Sequence, residues 1–67
     1  MSVREHLQMR EQDLLVALDE VEVLEREAFN AGRRDLSRAY VAAQLYLLDQ
    51  LTAVHDFQRV IGWEEKV

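Results

Sequence analysis

The 67-residue chain contains no cysteine, which excludes disulfides and thiolate metal sites and leaves the redox compartment unread. It contains no proline and only two glycines, Gly32 and Gly62, so very little interrupts a regular helix. Long apolar runs are also missing. The longest uncharged stretch, Ala39 to Leu48, is ten residues, well short of the roughly 20 that a membrane span needs. The opening Met1-Ser2-Val3-Arg4-Glu5-His6 lacks the apolar core of a signal peptide. A cytoplasmic location is the expectation from these absences.

Abundant Leu, Ala, Glu, Arg and Gln point to an all-α protein of one small domain. A chain this short buries a modest core and usually needs a disulfide, a metal or a partner chain to be stable. The net charge of −5 is unevenly placed: residues 1–30 carry eight acids and three arginines, whereas residues 31–67 carry five charges of each sign. An acidic first half argues against nucleic acid and anionic lipid as partners and favours a partner with a basic face.

Ser2 and Glu5 have the spacing of a capping box, which starts a helix at residue 3. Val3, Leu7, Leu14, Leu18, Val21 and Ala28 then fall on one stripe, with Leu24 and Phe29 at its edges and Glu11 and Glu25 upon it. In the turn Asn30-Ala31-Gly32-Arg33-Arg34-Asp35, Gly32 supplies the left-handed residue that ends a helix and Asp35 an N-cap for the next. The second helix presents Leu36, Ala39, Tyr40, Ala43, Leu47, Leu51, Val54, Phe57 and Ile61 on one face. Ala39 and Ala43 are small enough for close helix approach near the turn, and Gly62 is the expected stop. The predicted architecture is an antiparallel two-helix, coiled-coil-like hairpin: helix 3–30, turn 31–34, helix 35–61 and tail 62–67.

Each helix carries a second apolar row. Met9, Val16 and Val23 recur every seven residues away from Leu14 and Leu18; Val41, Leu45 and Leu48 form the corresponding row on the second helix. A helix that is apolar on two sides is normally covered on two sides. These six residues, with Tyr46 and Trp63 as aromatic anchors, are the predicted partner-binding set. They imply a protein partner or self-association, most simply a dimer completing a four-helix bundle.

Little else carries chemistry. His6 and His55 have no ligand residue three or four positions away, although an antiparallel hairpin brings them to the same end. The acids Asp19, Glu20, Glu22, Glu25 and Glu27 form a solvated face or a docking surface for a basic partner. Arg33, Arg34 and Arg38 are expected to meet the C-terminal carbonyls of the first helix and to pair with Glu27 or Asp35, the alternative being an anion or nucleic-acid contact at the tip. No nucleophile set or phosphate loop is present, so the expectation is a non-enzyme with no cofactor and no metal.

From Leu24 to Gly62 the chain resembles the helical hairpin repeat of the TolC-like outer-membrane efflux family. The shared features are Phe29 followed by Gly32, then Asp35-Leu36-Ser37, the Ala43-Gln44 step and an apolar stretch closing at Gly62. That resemblance implies hairpins packed side by side in a periplasmic or outer-membrane α-helical barrel. In size and helix layout the chain is also similar to the small co-chaperones of type III secretion needle subunits, which implies a chaperone or assembly adaptor.

Overall fold

The computed structural model describes residues 2–66, with side chains described for residues 2–62. Two helices, α1 (Val3–Asn30) and α2 (Arg34–Lys66), pack against each other as an antiparallel hairpin. The molecule measures 53 × 17 × 12 Å. A 12 Å thickness is one helix diameter, so no third layer covers either broad face among the described residues.

The N-cap half of the predicted capping box forms, and the Glu5 carboxylate meets the Ser2 hydroxyl in place of its backbone N–H. The Ser2 hydroxyl accepts from the Glu5 N–H at 3.2 Å and lies 3.3 Å from the Glu5 carboxylate. At the other end α1 closes in a Schellman turn. The Arg33 N–H donates to the Ala28 carbonyl at 2.9 Å and the Gly32 N–H to the Phe29 carbonyl at 3.1 Å, with Gly32 at φ +74°. Three of the last carbonyls of α1, counting the Ala31 N–H to Glu27 at 3.0 Å, are thereby satisfied by the turn itself.

Two predicted boundaries differ. α2 starts at Arg34, so Asp35 sits inside its first turn, where a carboxylate favours the helix dipole, and is not the N-cap. α2 also continues through Gly62 to Lys66 in place of a tail from residue 62. Glycine weakens a helix by lost backbone entropy without forbidding it, and no proline follows to enforce a stop.

The interface is a heptad seam. On α1 the buried and half-buried residues are Leu7, Glu11, Leu14, Leu18, Val21, Glu25 and Ala28, alternating by four and three, with only Ala17 besides. On α2 the seam is Ser37, Tyr40, Gln44, Leu47, Leu51, Val54, Gln58 and Ile61. Ser37, Gln44 and Gln58 thus hold seam positions that their apolar neighbours were expected to take. Phe57 and Ala39 are exposed, Phe57 at 62%. The fully buried core is small: Leu14, Ala28, Val54 and Ser37.

An added Cβ at Gly32 meets no atom within 4 Å, so its only obstacle is the positive φ. Gly32→Ala is expected to lower stability by about 1 kcal/mol. Gly62→Ala, in open space within a helix, should raise it by about 0.5–1 kcal/mol. Thermal denaturation followed by circular dichroism checks both signs.

Candidate interaction surfaces

Two carboxylates sit in the seam, and each has a cross-helix partner. The Ser37 hydroxyl donates to Glu25 at 2.9 Å, next to the turn. Nε2 of His55 lies 2.8 Å from Glu11, a carboxylate that can only accept when ionised. His55 is therefore engaged with Glu11 across the seam; the apposition of His6 and His55 raised by the sequence is replaced by this pair. Among the described residues, no group of three or more His, Cys, Asp or Glu side chains is placed to hold a metal ion. The Ser37 and His55 contacts each tie one seam carboxylate to a polar side chain of the other helix.

Indexing the heptads sorts the exposed apolar residues onto three surfaces. Met9, Val16 and Val23 lie on the back of α1, opposite the seam, and all three are exposed. Glu5, Asp19 and Arg26 flank this row on one side; His6, Asp13, Glu20 and Glu27 flank it on the other. Val41 and Leu48, predicted to lie behind the seam of α2, instead border it, with Leu45 just outside them. They belong to one broad face of the hairpin, where Leu15, Leu18, Asp19, Glu22, Gln44 and Leu48 line an open groove of about 230 Å³ spanning both helices. The true back of α2 is the row Asp35, Ala42, Asp49 and Asp56.

Tyr46, 61% exposed, points to the opposite broad face from Val41 and Leu48, since it lies about 155° from their column on the helical wheel. Phe57 and Val60 share that face, and with Leu15 and Phe29 they are exposed apolar residues that the sequence reading left outside the partner set. Heptad indexing in place of a search for the most apolar stripe finds all four. Trp63 lies outside the residues whose side chains are described.

Charge is segmented along the rod. Residues 11–25 and 39–58 together hold eight acids and no lysine or arginine, while residues 26–38 around the turn hold four arginines and two acids. Among the described residues no ion pair joins Arg33, Arg34 or Arg38 to Glu27 or Asp35. The Schellman turn satisfies three α1 carbonyls with backbone N–H groups, so the arginines are not drawn to them, and the guanidinium groups are left to water. Beside Arg34 and Arg38, the exposed Phe29 lines a shallow groove of about 230 Å³.

No protein-family model, curated protein or solved structure matches the chain. No helix among the described residues is long and apolar enough to cross a membrane.

The Glu25–Ser37 contact is testable by a double-mutant cycle. Ser37→Ala should cost about 1 kcal/mol by leaving the half-buried Glu25 carboxylate without its donor. Adding Glu25→Leu should recover at least that amount, since an apolar pair is no worse than a polar one at a covered seam position. Urea unfolding of the four proteins reads the coupling directly.

Proposed function

We propose that the hairpin is a non-catalytic protein–protein interaction module, a small helical chaperone or assembly adaptor that takes a helical partner. The observation that carries this reading is the row Met9, Val16 and Val23 on the back of α1. These residues repeat at one heptad, are exposed, and are bordered by five acids. A partner helix with an apolar stripe lies along such a row, and basic residues beside its stripe complete the charge pattern. Val41, Leu45 and Leu48 offer a second contact beside the seam, with Leu15 on the facing helix widening it. The acids of α1 set specificity more than affinity, because exposed ion pairs contribute little and mismatched ones repel.

Apolar residues on both broad faces also fit side-by-side packing of many hairpins, the arrangement implied by the resemblance of residues 24–62 to efflux-channel repeats. Light scattering separates the two readings, since lateral packing gives assemblies of many copies.

A synthetic amphipathic helix with leucines at heptad seam positions and lysines beside them is the direct probe. The adaptor reading expects it to bind at least about tenfold more tightly than the same helix carrying glutamates. Val16→Glu should abolish the binding while leaving the circular dichroism spectrum unchanged. Equal binding of the two peptides, or full binding by Val16→Glu, overturns the assignment.

A further inference from the structure

Charge reverses at the closed end of the hairpin, and it does so around Phe29, at 67% the most exposed large apolar side chain among the described residues. Phe29 stands three residues after Arg26 on α1, the spacing of neighbours on a helix surface. Across the turn it shares its groove of about 230 Å³ with Arg34, Ser37 and Arg38 of α2. Arginines of both helices therefore bracket one ring. Val41 continues the line of Arg34 and Arg38 at intervals of four and three, so a second exposed apolar residue lies beside them.

The acids of this region leave the groove positive. Glu27 lies on the far flank of the back of α1 and Asp35 on the back of α2. The Glu25 carboxylate accepts from the Ser37 hydroxyl within the seam. Among the described residues no ion pair occupies Arg26, Arg34 or Arg38. Glu22, one turn from Arg26 and two turns or about 10 Å from Phe29, is where the sign turns, with Asp19 beyond it.

We propose that this groove is a second docking site, for a short acidic segment of a partner protein that carries one large apolar side chain. The apolar group packs on Phe29 and Val41, and carboxylates on either side of it pair with Arg34 and Arg38. A guanidinium holds a carboxylate through two parallel hydrogen bonds, and arginines beside an aromatic ring are a common source of binding energy. The positive ground of about 10 Å has room for about three residues of extended chain, so the acidic part of the segment is short. A nucleic acid carries charge along its whole length, and beyond the tip it meets Glu22 and Asp19. Two copies of the chain, each of net charge −5, repel over most of their length, whereas a short segment engages the tip alone.

The site shares no residue with the Met9, Val16 and Val23 row and takes a partner of opposite charge, so this inference goes beyond the function proposed above and either can fail alone. The probe is a dye-labelled synthetic peptide with one phenylalanine between two pairs of glutamates. Its controls are the same peptide with lysines for glutamates, one with serine for phenylalanine, and a short single-stranded DNA. Fluorescence anisotropy with the full chain should show binding below about 1 mM, at least about tenfold tighter for glutamates than for lysines, weaker with serine, and falling as salt rises. Arg34→Glu with Arg38→Glu, both at exposed sites, should remove the binding; Phe29→Ser should weaken it about tenfold, and Val16→Glu should leave it unchanged. No binding at about 1 mM, equal affinity for the lysine peptide, full binding by the double arginine variant, or loss in Val16→Glu overturns the proposal. So does tighter binding of the DNA, which makes the ligand a nucleic acid, or a wild-type dimer that the double variant dissolves, which makes it a second copy. Should the double variant lose helicity, Phe29→Ser and the serine peptide decide: if neither weakens the binding, the proposal is overturned as well.

Discussion

Two helices share one line of contact, and every other property of this molecule follows from how little that line can bury. Each layer of the seam holds one side chain from α1 and one from α2, and the layers on either side are its only covered neighbours. The result is a core in which Leu14, at 2% exposure, is the only large side chain fully enclosed among the described residues. Such a seam tolerates polar residues because its edges remain wet. Glu11 and Gln58 lie where water reaches in from the rim of the open end, around a groove that they line together with Leu7 and Ile61. Their cost is small, and Glu11 gains a cross-helix contact with His55 there.

The helices, the cap at Ser2, the role of Gly32 and the antiparallel layout were legible in the sequence, because each rests on local chemistry that no tertiary contact overrides. The α1 seam was legible too from Leu7 onward, including the presence of Glu11 and Glu25 upon it, whereas Val3, read on the same stripe, is exposed. The α2 seam was read only in part. Its true positions alternate strictly by four and three, but Ser37, Gln44 and Gln58 are polar, and Leu36, Ala43 and Phe57 stand next to them. Choosing the apolar neighbour rotates the assumed face and carries Phe57 from solvent into an imagined core. Apolarity stands in for burial only when burial is plentiful, and here it is scarce. The same rotation placed Val41 and Leu48 behind the helix when they border the seam, and it left Phe57 and Val60 unread as neighbours of the exposed Tyr46.

The exposed apolar residues are not spread evenly, and their grouping is set by the period of the chain. Rows seven residues apart stay parallel to the seam along the full length of a supercoiled pair, so a row begun at Met9 is still on the back of α1 at Val23. The acids follow the same period and fall between the rows. This produces alternating tracks of grease and charge around the rod, with the arginine-bearing turn as a separate zone of opposite sign. Three tracks of different character give one slender molecule three distinguishable sides, each with its own chemical preference.

The Schellman turn has a consequence for motion. Because the layers are strung in single file and joined covalently at one end only, the pair opens like a zip, from the ends near Val3 and Lys66 towards Gly32. Each step gives up one layer and frees the matching stretch of both helices. Amide protons should therefore exchange on a gradient along the rod, quickest at the open end and slowest near Ala28 and Ser37.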